Sequence, residues 1–169
     1  MVEGSCQYGS QLARITLMDG VLLVRLAGVS TLHALKLASA YAERMAAPGE
    51  VDVQLYDMRC TSLAITHTDV CRGAAHAAEF PASRVRPGAY LISLEHEAVC
   101  LSLCWEMAQQ GQERAVFTDS EAAWQWVRRV QTRERLRAAL LASQALLQAS
   151  DPAAPGDISA RLSDARVCP

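Results

Sequence analysis

Residues 18–31 read MDGVLLVRLAGVST, and the reading of this stretch decides the fold. Just before it, apolar and polar residues alternate from Ala13 to Leu17, the period of a half-buried strand. Asp19-Gly20 is a hairpin signal, suited to a two-residue turn. The run from Val21 to Gly28 is then the returning strand. Ser30 is a candidate helix cap. Leu32, Leu35, Ala38, Ala42 and Met45 follow at helical spacing until Pro48-Gly49 ends the run.

Downstream, VDVQLYDMR (51–59) alternates again. Val51, Val53 and Leu55 share one face, while Asp52, Gln54 and Tyr56 take another that is expected to be partly wet. A helix is predicted from about His67 to Glu79, ended by Pro81. Pro87-Gly88 announces the buried strand AYLISL (89–94), and EHEAVCLSLCWEMAQQ (95–110) is a helix with Gly111 just past its end. RAVFTD (114–119) is the last strand. Thr118-Asp119-Ser120-Glu121 matches a capping box and opens a helix over 119–130. Strands alternating with helices predict an α/β fold. Its mixed, mostly parallel sheet has about five strands, flanked by about four helices and followed by an extra C-terminal helix. The expected organisation is a flexible lead-in (1–12), a domain (13–130), an amphipathic helix (131–149, regular from Arg133) and a disordered tail (150–169) carrying Pro152, Pro155 and Gly156.

The chain has 169 residues, 51% hydrophobic and 20% charged, with a net charge of -2. That is a globular composition, with no overall pull toward nucleic acid or an anionic membrane. The start of the chain does not resemble a signal peptide, and the apolar run Val21–Val24 is far too short to span a bilayer, so a cytoplasmic location is expected. In that setting Cys6, Cys60, Cys71, Cys100, Cys104 and Cys168 read as thiols rather than disulfides.

The stretch ITHTDV (65–70) is the richest in chemistry. Thr66 with Asp69 three positions on is a capping-box variant, and Asp69 in the first turn suits the helix dipole. A hydroxyl at a helix start is also where an added phosphate meets exposed amides. A pure cap predicts that Thr66→Asp is nearly neutral. His96, Cys100 and Cys104 share one helix face and could face a zinc ion. They adjoin the apolar stripe of Val99, Leu103 and Met107, which favours core packing. Cys71 near His67 or His76 has no motif supplying an oxyanion site. Phosphate-cradling glycine loops and the common cofactor fingerprints are absent. Arg128, Arg129, Arg133, Arg135 and Arg137 read as a solvated basic stretch. Beyond them Leu136, Leu140 and Leu147 form a stripe that needs a surface to cover it.

Taken together, the hairpin MDGVLLVRLAGVST, the strand VQLYDMR, the strand AYLISL and the closing AVFTDSEAAWQWV resemble the STAS-like fold. This is the fold of sulfate-transporter and anti-sigma-factor-antagonist domains. The closing phrase is most similar to small bacterial STAS-like proteins, which share their broad architecture with lipid-binding CRAL-TRIO domains. The resemblance covers roughly residues 12 to 130. With the lack of any catalytic constellation, it leads to a non-enzymatic regulatory, protein-interaction or small-ligand module as the expectation, and the missing fingerprints to no cofactor or metal. In the antagonists a D-x-S…D-S-S pattern carries a phosphorylated serine at a helix start. Asp57 matches the strand-ending aspartate of that pattern. The Asp-Ser-Ser is missing at 65–68, where Thr66 and Thr68 alone offer hydroxyls. The expected working surface is Asp57, Thr66, His67, Thr68, Asp69 and Arg72, with the 80–88 turn beside it. Two alternatives are an apolar, lipid-like carrier and a thiol or metal protein using Cys100 and Cys104. The expected partners are a protein or a small apolar ligand, with a homodimer through residues 133–149.

Overall fold

The computed structural model describes residues 1–46, 49–66, 68–72 and 86–149. Strands β1 (Val2–Tyr8), β2 (Gln11–Met18) and β3 (Val21–Ser30) lead into helix α1 (Leu32–Met45). Then come β4 (Val53–Leu63), β5 (Gly88–Leu91), a 3-10 turn (Leu94–His96), α2 (Glu97–Ala108), β6 (Arg114–Phe117) and α3 (Ser120–Ala149). The chain divides into two compact units, Met1–Arg135 and Leu136–Pro169. The first holds the sheet. The second is described as the last part of α3.

The sheet has six strands in the order β1-β2-β3-β4-β5-β6. β1, β2 and β3 pair antiparallel, and β3 through β6 pair parallel. The hairpin at Asp19-Gly20 is as read: Met18 pairs with Val21, and both turn residues have positive φ, 48 and 78°. That is the twist a two-residue turn needs to join right-twisted strands. The sixth strand is the N-terminal one. The segment expected as a flexible lead-in pairs with β2 from Val2↔Leu17 to Tyr8↔Gln11. Its inward residues are Gly4, Cys6 and Tyr8, too small and mixed to signal a strand by hydrophobicity.

Two core clusters sit on opposite faces of the sheet. On one face Ile15, Leu22, Val24, Tyr56 and Ile92 pack with Ala38 and Ala42 of α1 and Cys100 of α2. On the other, Leu23, Val53, Leu55 and Leu91 pack with Ala123, Val127 and Val130 of α3. With both faces covered, Val21 to Val24 are all buried, as parallel-sheet strands are. This overturns the wet face expected for β4. Gln54 and Tyr56 are buried, and each finds polar partners inside. The Tyr56 hydroxyl meets Ser39 Oγ at 2.7 Å, and the Gln54 amide donates to Glu43 while its oxygen accepts from Arg114.

Two caps lie one residue later than expected. Thr31, not Ser30, accepts from the Ala34 amide, and Asp119, not Thr118, accepts from the Ala122 amide at 2.8 Å. The helix it opens runs without a break to Ala149, so the two helices expected there are one. The expected tail and most of the helix predicted for 67–79 lie outside the described residues.

Candidate functional site

β5 and β6 end at Leu91 and Phe117, while β3 and β4 run on together to Ser30 and Leu63. The step between them carries a bulge: Arg25 pairs with Asp57 but Ala27 with Cys60, so β4 has one extra residue there. Bulges re-aim side chains, and the carboxyl ends of parallel strands are where open α/β sheets place their sites. Asp57 therefore lies within β4 at the bulge and not at the strand end that the resemblance implied.

At the bulge Asp57 takes a two-pronged ion pair from Arg59, Nε to Oδ1 at 2.9 Å and Nη2 to Oδ2 at 2.8 Å. Partial burial pushes the Asp57 carboxyl up. The hydrogen bonds from Arg59 and the charges of Arg59 and Arg25 outweigh this and hold it below the usual carboxylate range. Ser93 Oγ donates to the Arg59 carbonyl at 3.0 Å. His96 Nε2 lies 2.9 Å from the Thr61 carbonyl. A carbonyl only accepts, so Nε2 carries the hydrogen. These contacts fasten the start of α2 to the extension of β4.

Beyond Leu63 comes the cap. Thr66 Oγ1 accepts from the Asp69 amide at 3.3 Å and donates to Asp69 Oδ2 at 2.8 Å, and the Thr66 amide donates to the same oxygen at 2.9 Å. The box is closed in both directions. Bonds from the Thr66 amide and hydroxyl, aided by Arg72, hold the Asp69 carboxyl below its usual range. This geometry changes the expectation for Thr66→Asp: a carboxylate or phosphate at 66 would stand against the Asp69 carboxylate. Thr68, exposed near the start of the same helix, takes no part in the box. His67 lies outside the described residues.

The structure closes Thr66 on Asp69, with the charge of Arg72 acting on the same carboxylate. Asp57 instead lies back along β4, level with Leu91 at the end of β5, and its hydrogen bonds go to Arg59. Of the 80–88 turn, residues 80–85 lie outside the described residues, and 86–88 are set apart from the cap. Pro87 accepts from the Gln54 amide at the amino end of β4, so Arg86, Pro87 and Gly88 lie at the opposite end of the parallel strands. There Arg114 donates to Gln54 and to the Arg86 carbonyl, Arg86 reaches Glu43, and Tyr56 stacks on Tyr90 at 5.5 Å. The rim residues that the sequence reading passed over are Arg59, Thr61 and Ser93. Arg59 was legible in one respect, since a strand places residues i and i+2 on the same side.

Cys100 and Cys104 are buried in the core, and burial pushes their thiols up to about 11 and about 12. Burial keeps them protonated at neutral pH, as cysteines packed among apolar side chains are. Among the described residues no disulfide joins the cysteines, and no three His, Cys, Asp or Glu side chains converge as a metal site. No described helix is long and apolar enough to cross a membrane. An open groove of about 500 Å³ lies on the α3 face, lined by Met18, Val21, Trp124, Val127, Arg128 and Gln131.

An antiparallel meander that feeds a parallel half, with helices on both faces and a bulged rim, defines a mixed α/β domain of the arrangement implied by the STAS-like resemblance. Among solved structures, the chain is similar to an uncharacterised protein from the DUF3478 family with a SpoIIAA-like fold, from Shewanella loihica. The identity is 18%, over 74% of this chain and 91% of that one, with a TM-score of 0.39. No protein-family model matches the chain, and no curated protein does.

Proposed function

We propose that this chain is a non-enzymatic interaction module that works through the rim at the carboxyl ends of its parallel strands. The observation that carries the reading is the rim itself. An ordered Asp57–Arg59 ion pair and a closed Thr66–Asp69 cap present charged and hydroxyl groups on a fixed scaffold. A partner that reads the rim would meet Arg59, Thr68 and Arg72. Chemical cross-linking in extract of the native cell, followed by affinity purification, tests it. Wild-type protein is expected to retain a partner that the Arg59→Glu, Arg72→Glu double variant loses. The same partner held equally by the folded variant would end the rim reading.

The exposed leucines of the second unit carry an independent reading. Leu136, Leu140 and Leu147 are 62%, 65% and 73% exposed in the single chain. Such a stripe is covered most simply by another copy, so the chain self-associates through residues 136–149. Sedimentation of the full chain over a range of concentrations checks this. A monomer throughout would refute it.

The groove beside Trp124 favours a second function, a carrier of a small apolar ligand. A change in tryptophan emission on adding a fatty acid, lost in Met18→Glu at the half-buried edge of the groove but kept in the rim variant, would support it over the rim reading.

A further inference from the structure

α2 also carries an uncovered apolar stripe. Ala98, Leu101, Trp105 and Ala108 follow at spacings of three, four and three, and so lie along one face of the helix. Leu94 in the preceding turn is exposed as well. Leu94, Leu101 and Trp105 are 72%, 51% and 67% exposed, while Cys100 and Cys104 fill the core from the other side. A helix that is apolar all round is one that something covers. Trp105 is the kind of side chain that anchors an interface.

The surroundings of the stripe indicate what covers it. Residues 94–109 contain Glu95, Glu97 and Glu106 and no lysine or arginine. The segment with the other uncovered stripe has the matching spacing, Leu136, Leu140, Ser143 and Leu147, at four, three and four. The helix that carries it has the opposite charge. Arg133 is engaged by Glu113 and Glu134, and Arg135 by Asp19 and Asp52. No side-chain partner is found among the described residues for Arg128, Arg129 or Arg137, which are all exposed. Three open arginines, Arg137 within the segment and Arg128 and Arg129 before it on the same helix, thus stand against Glu97, Glu106 and Glu95, the last 3.4 Å from His96 Nε2.

We infer that the α2 stripe is the seat for residues 136–149 of a second copy of this chain, exchanged reciprocally about a two-fold axis. The inference rests on the self-association reading and adds the surface that receives the helix. Exchange covers both stripes at once. The two-fold axis doubles the contact toward the ~1,600 Å² of a standard specific interface. Parallel pairing of two C-terminal helices would instead set arginine against arginine and leave Trp105 in water.

The test uses the full chain and two double variants at exposed positions. Leu101→Glu, Trp105→Glu breaks the seat, and Leu140→Glu, Leu147→Glu breaks the guest. In sedimentation equilibrium the native chain is expected to dimerise, and each variant alone to associate at least tenfold more weakly. An equimolar mixture should re-associate as a mixed dimer, because one intact seat and one intact guest remain. A seat variant that dimerises as tightly as the native chain overturns the inference and leaves self-association through the helix standing. A guest variant that does so overturns both, as does a native chain that stays monomeric. Should a double variant lose its helical spectrum, Glu97→Arg, Glu106→Arg reads the same contact by charge. It should weaken the native dimer at least tenfold at low salt, and an unchanged dimer overturns the inference.

Discussion

Single residues set sharp limits on this fold, and Gly28 sets the sharpest. Its φ is +90°, and a Cβ there would run into the Ser10 carbonyl oxygen, a backbone atom that cannot swing aside. Gly28→Ala is therefore expected to cost well over ~1 kcal/mol, beyond the usual penalty for a strained alanine, read as a lowered denaturant midpoint. Nothing in VRLAGVS announces this, because the obstacle comes from the turn before β2, far back in the chain. The cysteines were legible: Cys100 and Cys104 adjoin an apolar stripe, and the structure buries them. Their protonation gives a pH prediction. Unfolded thiols titrate near 9.0 and the folded ones at about 11 and about 12, so between those values the folded chain holds protons that the unfolded chain has lost. This contribution is fully present below pH 9 and is lost as pH rises toward 12. Thermal midpoints measured from pH 8 to 11 should fall, and fall less in Cys100→Ala, Cys104→Ala. In the native state at pH 8, a thiol reagent should label exposed Cys60 well ahead of either.

At the scale of elements, periodicity located α1, α2, the start of α3 and most strands, but caps depend on which side chain bends back, and spacing alone does not resolve that. Asp119 and Thr118 are both competent capping types, and only the geometry shows Asp119 bonded to the Ala122 amide. Asp119→Ala should cost about 1 kcal/mol and Thr118→Ala close to nothing, compared by chemical denaturation. The Thr66 box was readable because its two partners sit at the fixed spacing of a reciprocal pair. Thr66→Ala should cost about 1 kcal/mol. Thr66→Asp should be no better than alanine above pH 5, since two carboxylates would then share one turn, and should recover toward pH 3 as they protonate. A Thr66→Asp variant as stable as wild type at pH 7 would show that the Asp69 carboxylate had turned away from the cap. β1 and the polar face of β4 escaped the sequence reading for a common reason. Gly4, Cys6 and Tyr8 bury little apolar area, and Gln54 and Tyr56 are buried only because Glu43, Arg114 and Ser39 reach them from distant parts of the chain.

The molecule as a whole divides at Arg135, inside a helix whose hydrogen bonding does not break. The part before it contains both core clusters, and Arg135 itself closes onto Asp19 and Asp52 at 2.8 and 2.9 Å. The leucines after it are exposed, so deleting them takes no leucine out of the core. A helix of that length is marginal alone, and leucine in water forgoes ~25 cal/mol for each Å² of apolar surface left uncovered. Whatever covers these leucines stabilises the segment, and binding to the native state raises the unfolding temperature by mass action. A chain ended after Arg135 should fold, and its thermal midpoint should not depend on protein concentration. The full-length midpoint should rise with concentration and converge on the truncated value as the sample is diluted. A full-length midpoint that stays constant over a hundredfold change in concentration would place the stripe's partner outside this chain, and a truncated chain that fails to fold would mean that residues 136–149 belong to the domain's own stability.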